Sequence, residues 1–309
     1  MAARLAGRDV NASADWRARR WPLQFGMITG IDHIAVLVRD FDATVAGYTA
    51  IFGRAPNWLG FMPGGRHAWF QFGNAALDIV GADGAGPEAE ASRAKVDKFG
   101  DAIWGLGFSV PDLAEALRLY ERRGLVFLPR HTTRTRNADG VERSWELATM
   151  KRKSANGVAL FLVETAPGAS PWPMLPADGP DDAAVGELDH IVIRTADAER
   201  AVALYGGRLG LDLRLDRVNA QWGARQLFFR CGHAVVEIVA SLEAPASDAK
   251  DTFGGLAWRV RDPEAARARV AAAGLDVSEV RQGRKPGTQV FTVRSGTGGV
   301  PTLMLSGNG

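Results

Sequence analysis

The stretch GIDHIAVLVRDFDATVAGYTAIFG, residues 30–53, decides the fold because it returns later in the chain. Residues 187–210, ELDHIVIRTADAERAVALYGGRLG, align with it without a gap, so that His33 matches His190. Each stretch begins with the alternating pattern of a β-strand and then takes on the spacing of a single helical face. The sequence therefore predicts an internal duplication of a strand-then-helix unit.

An aspartate stands at the predicted start of both helices. Asp40 and Asp197 can each accept hydrogen bonds from the free N–H groups of a first helical turn, so we predict that both are N-caps. Two weaker copies of the unit occur at residues 104–124 and 254–274. In these copies a glycine stands where the stronger copies have histidine, at Gly105 and Gly255.

Each predicted helix is followed by about three strand-like pieces. The clearest of them are residues 67–80, 157–164, 225–239 and 299–306. The repeated unit is therefore strand, helix and three strands, written βαβββ, and the pattern predicts four such modules in an α+β fold. Two modules make each half, over residues 27–165 and 186–309.

Two segments outside the halves are predicted to be irregular. Residues 166–185, rich in Pro, Gly, Ala and Asp, form a linker. Residues 1–26 carry five arginines and no apolar stretch of signal-peptide length, which predicts a flexible extension without a secretory signal.

The composition excludes several classes of partner. Thirty-seven basic residues stand against 35 acidic ones, and no run of like charge is typical of nucleic-acid binding. No segment approaches the ~18 consecutive apolar residues of a membrane span. The single cysteine, Cys231, excludes an internal disulfide and a cysteine-based zinc cluster. We expect a cytoplasmic monomer or homodimer that acts on a small molecule, with neither nucleic acid nor membrane as a partner.

Two carboxylates share a strand face with the two histidines. His33, like His190, lies on the face of its strand away from the side predicted to pack under the helix. Asp78 and Glu237, each five residues after a glycine, lie on the same kind of face in a later strand. A carboxylate inside an apolar strand needs a paired group or a cation. Imidazole and carboxylate together suit Fe, Mn, Ni, Co or Zn as divalent ions.

These motifs resemble the vicinal oxygen chelate superfamily, which includes glyoxalase I, methylmalonyl-CoA epimerase, extradiol dioxygenases and bleomycin resistance proteins. The resemblance rests on the βαβββ unit, the D-H-I opening strand, the helix after D-x-x and the G-x-x-x-x-D/E strand, and it covers residues 28–306. Residues 134–149 are similar to the glyoxalase-like group of this superfamily. The resemblance implies that the four modules pair into two cup-shaped mixed sheets.

The resemblance also implies an activity and a set of ligands. It points to a divalent-metal-dependent lyase or isomerase of glyoxalase type that acts on a small oxygenated substrate. The predicted metal ligands are His33, Asp78, His190 and Glu237, and Glu237 is the predicted catalytic base. A metal-free small-molecule binding protein of the bleomycin-resistance type is the alternative, and an extradiol dioxygenase is disfavoured because Gly255 stands where its second histidine would be.

The pairing of the modules stays open from the sequence. Pairing in chain order leaves each cup with two protein ligands, because the partner positions hold no ligand: Gly105, Gly255, about Phe161 and about Met304. Pairing of the first module with the third would instead unite all four predicted ligands. His67 could add a third ligand to the first half. Alternatively, the first half could be a degenerate copy that only supports the second half.

Substrate-binding residues are predicted around the last strands. Arg284 and Lys285 lie in the loop GRKPGT, residues 283–288, and could hold a carboxylate or phosphate. A solvated hairpin is the alternative for this loop. Trp258 is predicted to line an apolar pocket with Trp222 and Trp145, although core packing explains such residues equally well.

Overall fold

The computed structural model describes residues 27–165 and 172–306. The predicted extension, residues 1–26, and residues 166–171 of the predicted linker lie outside the described residues. None of the helices in the described ranges has the length and apolar character needed to cross a bilayer.

The first half contains two βαβββ modules separated by an additional helix. The first module consists of β1 (Gly30–Val38), α1 (Phe41–Phe52), β2 (Trp58–Met62), β3 (Gly65–Gln71) and β4 (Ala76–Gly81). The additional helix is α2 (Pro87–Phe99). The second module consists of β5 (Ala102–Val110), α3 (Leu113–Arg122), β6 (His131–Arg136), β7 (Glu142–Thr149) and β8 (Leu160–Glu164).

The second half repeats the same order of elements. The third module consists of β9 (Glu187–Thr195), α4 (Ala198–Ala201), which continues as a π-helix over Val202–Arg208, β10 (Asp212–Asn219), β11 (Ala224–Cys231) and β12 (Ala234–Ser241). The fourth consists of β13 (Thr252–Val260), α5 (Pro263–Ala272), β14 (Arg281–Gln282), β15 (Gln289–Val293) and β16 (Thr302–Ser306). The four predicted modules are therefore present.

An aspartate caps the helix of every module. Each side chain accepts a hydrogen bond from the backbone N–H three residues later, which satisfies one of the free donors of the first turn. The prediction for Asp40 and Asp197 is confirmed, and the two weaker copies carry the same device at Asp112 and Asp262.

The modules pair in chain order. β1 runs antiparallel to β5, and β9 runs antiparallel to β13, so the first two modules share one mixed sheet and the last two share another. The predicted α+β fold of two mixed sheets is confirmed. The alternative in which the first module pairs with the third is wrong, because β1 and β9 belong to different sheets.

The two sheets differ in how they close. The first is a closed barrel in the order β1-β4-β3-β2-β6-β7-β8-β5, joined between β2 and β6 at Phe61 and Arg136. The second, in the order β10-β11-β12-β9-β13-β16-β15-β14, is open. One edge strand, β14, has only two residues, Arg281 and Gln282, and does not pair with β10, the strand at the other edge. The outer side of β10 is therefore unpaired. The second sheet therefore keeps an open concave face.

The helix-bearing sides of the two halves pack into a common core. Trp258 of β13 is fully buried, with its ring 4.8 Å from the ring of Phe52 and 4.9 Å from that of Phe72. The hydroxyl of Tyr48, on α1, donates to the backbone carbonyl of Thr297 at 3.1 Å. Aromatic side chains from both halves thus share one hydrophobic cluster.

We expect Trp258→Ala to lower the free energy of unfolding by about 3–5 kcal/mol, because it removes a large buried ring from the junction of the halves. Urea unfolding followed by circular dichroism measures this change. Trp222→Ala is the matched control, since Trp222 is 39% exposed, and its effect should stay below about 1 kcal/mol. Two separate unfolding transitions in the wild type would contradict a shared core.

Candidate functional site

The structure brings His190 and Glu237 together on the concave face of the second sheet. β9 and β12 are parallel neighbours, and the register pairs His190 with Val235 and Glu237 with Val192. Nε2 of His190 lies 3.3 Å from an Oε atom of Glu237. The two side chains are 19% and 8% exposed, so both face a sheltered hollow and not bulk water.

Asp189 fixes the orientation of the imidazole. In the ladder, Ala257 pairs with His190 and Trp258 with Leu188, so Asp189 is the extra residue of a β-bulge. Its carboxylate lies 2.7 Å from Nδ1 of His190. Because a carboxylate only accepts hydrogen bonds, Nδ1 carries the hydrogen.

A second partner strengthens the charge on Asp189. Nε of Arg259 donates to the other carboxylate oxygen of Asp189 at 2.6 Å. Burial alone would raise the pKa of Asp189, but the hydrogen bonds from His190 and Arg259 outweigh it and hold the pKa below its ordinary value. Asp189 is therefore a fixed negative charge behind the imidazole, in the place that an orienting carboxylate takes behind a metal-bound histidine.

The contact between His190 and Glu237 calls for a proton or a cation. With Nδ1 protonated toward Asp189, Nε2 of a neutral imidazole presents a lone pair to a carboxylate that also presents lone pairs. Two ligands each ~2.1 Å from a tetrahedral ion stand about 3.4 Å apart, close to the observed 3.3 Å. The separation therefore fits a shared metal ion, and a proton shared between the two groups is the competing arrangement.

The described residues supply no third ligand of the usual kinds. They contain no group of three or more His, Cys, Asp or Glu side chains placed to hold one metal ion. Gly255 has a φ of +147°, and a Cβ there would stand 2.5 Å from the carbonyl oxygen of Pro301. Met304 is fully buried and pairs with Trp258. Backbone geometry therefore prevents a ligand side chain at Gly255, and burial in the core prevents one at position 304.

Two polar residues that sequence reasoning missed extend the site toward the sheet edge. Nε2 of the buried Gln226 donates to Oε1 of Glu237 at 2.6 Å, and Nε of Arg217 donates to Oε1 of Gln226 at 3.1 Å. Gln226 carried the same signal as Glu237, a polar side chain inside an apolar strand. The role of Arg217 depends on the pairing of β10 with β11, which places it directly across from Gln226.

The predicted substrate-binding residues fall in different places. The guanidinium of Arg284 lies 3.9 Å from the centre of the Trp222 ring, at the rim of the second cup. Lys285 is exposed in the same loop. The prediction for Trp258 is corrected, because its ring is buried in the core shared by the halves, on the opposite face of the sheet from the hollow. Its neighbour Ala257, which pairs with His190, lies on the concave side.

Within the described residues, His33 and Asp78 form no ion pair with each other, and each contacts other side chains. His33 lies 2.6 Å from Asp32 through Nδ1, and its ring packs 4.7 Å from Trp69 and 5.0 Å from Phe161. The Phe161 ring also covers Gly105, where a Cβ would meet it at 2.7 Å. Aromatic rings therefore flank the imidazole of His33.

Asp78 has another partner inside the first barrel. Its carboxylate lies 2.8 Å from Nδ1 of His67, and Nε2 of His67 lies 2.6 Å from the hydroxyl of Thr135. All three residues are buried. His67, considered as a third metal ligand, is thus the hydrogen-bonding partner of Asp78. Whether the first half has a site of its own or only supports the second stays open.

Family comparisons agree with this architecture. A model of the glyoxalase-like domain matches residues 31–184, and a model of the glyoxalase/bleomycin resistance protein/dioxygenase superfamily matches residues 189–292. The chain belongs to the vicinal oxygen chelate superfamily. Each half of this superfamily member is matched by its own model, as its duplicated sheets require. No curated protein matches the chain.

Solved structures share the tandem fold over most of both chains. A triple mutant of 4-hydroxymandelate synthase from Streptomyces coelicolor has 15% identity and a TM-score of 0.63, with 91% of this chain and 93% of that chain covered. The Mn(II)-bound glyoxalase from Novosphingobium aromaticivorans has 16% identity and a TM-score of 0.61, with 91% and 82% covered. BphC, a halotolerant catechol dioxygenase, has 13% identity and a TM-score of 0.58, with 91% and 87% covered. At these identities the likeness concerns the fold.

We expect Gly255→His to destabilise the protein by at least about 1–3 kcal/mol and to add no metal ligand, because both the positive φ and the Pro301 carbonyl oppose a side chain. Urea unfolding and titration with Co²⁺ measure the two effects. Gly179→Ala is the control, since no atom lies within 4 Å of the added Cβ, and it should change stability by less than about 1 kcal/mol. A stable Gly255→His variant with tighter Co²⁺ binding would show that the position can hold a ligand.

Proposed function

We propose that the second sheet carries the active site of a divalent-metal-dependent lyase or isomerase of glyoxalase type, acting on a small oxygenated substrate. The observation that supports it most is the contact of His190 Nε2 with Glu237 at 3.3 Å on an open concave face. Membership of the vicinal oxygen chelate superfamily favours this chemistry over an unrelated use of the same pair.

His190 and Glu237 would hold the ion, with Fe, Mn, Ni, Co and Zn as candidates. Because the described residues offer only these two, the other coordination positions would be left to substrate oxygens and water. When bound, such an ion supplies Lewis-acid stabilisation of negative charge on two neighbouring substrate oxygens. Asp189, through its bond to Nδ1, keeps Nε2 of His190 directed at Glu237.

Glu237 is the proposed proton carrier. Its carboxylate can take a proton from the substrate carbon next to an oxygen and return it to a neighbouring position. The bond from Gln226 to Oε1, supported in turn by Arg217, holds the carboxylate in one orientation. A positioned base of this kind loses little freedom when the substrate binds.

Partly exposed apolar side chains surround the polar pair. They come from all parts of the concave face and are Val192, Phe228, Val235, Val239, Leu303 and Leu305. Such walls bind the hydrocarbon part of a small molecule and lower the local dielectric constant. Both effects would strengthen the interactions of charge at His190 and Glu237.

The second candidate is a metal-free binding protein. Two observations favour it: the part of the chain that the structure describes supplies only two ligand side chains, and a proton between His190 and Glu237 also satisfies their contact. A protonated imidazole would donate to Asp189 on one side and Glu237 on the other. The cup would then hold a small molecule without changing it.

We expect the wild type to bind one Co²⁺ per chain in a titration followed by visible absorption, and His190→Ala to lose this binding because half of the ligand set is gone. His33→Ala alters the equivalent histidine of the filled first barrel and should keep binding within about tenfold of the wild type. His233→Ala, at an exposed turn position, controls for general loss of histidine.

Elemental analysis of the protein as purified complements the titration. Equal loss of Co²⁺ in His33→Ala and His190→Ala would contradict a site confined to the second sheet. A wild type that binds no Co²⁺ but retains small molecules, before and after His190→Ala, would support the metal-free candidate instead.

A further inference from the structure

The mouth of the second cup carries two arginines that face one indole. Trp222 lies in the turn between β10 and β11, and Arg284 lies in the loop between β14 and β15, at the opposite edge of the sheet. The guanidinium carbons of Arg284 and Arg217 are 3.9 Å and 5.7 Å from the centre of the Trp222 ring. The two cations are therefore separated by no more than the sum of these distances.

Among the residues that the structure describes, neither cation is paired with a carboxylate. Within residues 27–165 and 172–306, no carboxylate forms an ion pair with Arg217 or Arg284, although Asp216, next in the chain to Arg217, pairs with Arg225. The terminal Nη groups of Arg217 make no hydrogen bond in that part of the chain, because only its Nε is used, toward Gln226. Two guanidinium groups that lie against one ring and form no ion pair in the described residues attract an anion.

A continuous set of contacts links these cations to the proposed metal ligands. Arg217 bonds to Gln226, Gln226 to Glu237, and Glu237 contacts His190. The ring of Phe228, directly across from Glu237 in the ladder, lies 5.4 Å from the Arg217 guanidinium carbon. One small molecule that packs on Phe228 would therefore reach both the arginines and the pair His190 and Glu237.

We propose that Arg217 and Arg284, held against Trp222, form an anion subsite that selects substrates with a carboxylate a few bonds away from the oxygens at His190 and Glu237. This inference depends on the proposed function only for the part of the substrate whose oxygens bind at His190 and Glu237. The planar guanidinium fork matches the two oxygens of a carboxylate. The contact of Arg284 with Trp222 also joins loops from the two edges of the open sheet, so the proposed carboxylate would bind where these loops meet.

The test compares 3,4-dihydroxyhydrocinnamate, which has neighbouring oxygens at one end and a carboxylate at the other, with its neutral amide. Isothermal titration calorimetry gives the Kd of each, with chelator and again with Co²⁺. We expect the acid to bind wild-type protein at least about tenfold more tightly than the amide, the effect of one or two charge-assisted hydrogen bonds. Arg217→Gln and Arg284→Gln should each remove this preference for the acid.

Arg214→Gln is the matched control, because Arg214 is an exposed arginine of β10 that pairs with Asp212, and it should keep the preference for the acid. A preference that persists in chelator while Co²⁺ fails to bind would uphold the anion subsite and reject the metal proposal. Equal affinity for acid and amide, including no measurable binding of either at millimolar concentration, would overturn the subsite even if Co²⁺ binds.

Discussion

The antiparallel contact between the opening strands of neighbouring modules, β1 with β5 and β9 with β13, decides which side chains can meet. It separates His33 from His190 by placing them on different sheets, and it sets each histidine opposite a module that offers glycine in the equivalent strand. On the faces turned away from the helices, side chains can then meet only those of their own sheet. The proposed site is therefore made mostly by the third module, with the fourth contributing part of the apolar wall, Arg259 and the Arg284 loop.

The two halves keep the same aspartate–histidine pair and use it differently. Nδ1 of His33 lies 2.6 Å from the carboxylate of Asp32, and Nδ1 of His190 lies 2.7 Å from the carboxylate of Asp189. In the first barrel the imidazole packs between Trp69 and Phe161, where burial and close packing stabilise the fold. In the second sheet the equivalent imidazole, that of His190, faces the carboxylate of Glu237. The two sheets thus give the same pair of residues different surroundings, aromatic rings in the first and a carboxylate in the second.

Local patterns carried the prediction of the modules, because strand period, helix period and aspartate caps are each properties of a few consecutive residues. The meeting of His190 and Glu237 followed from matched positions in two strands. Trp258 was misplaced because alternation defines two faces of a strand without saying which one faces the core. Gln226 could have been found as a polar side chain inside an apolar strand. The roles of Arg217 and Phe161 depend on register between strands, which no single segment of the sequence specifies.

An open sheet also has an edge that the barrel lacks. The outer side of β10 presents backbone N–H and C=O groups to any strand that approaches, and such edges invite pairing between separate molecules. Its sequence, DLRLDRVN, places charges of both signs along this edge, and Asp212 and Arg214 are each more than half exposed. Charged side chains that must be desolvated before another strand can dock oppose aggregation, so the second sheet can keep an unpaired edge that the first sheet removes by closing into a barrel.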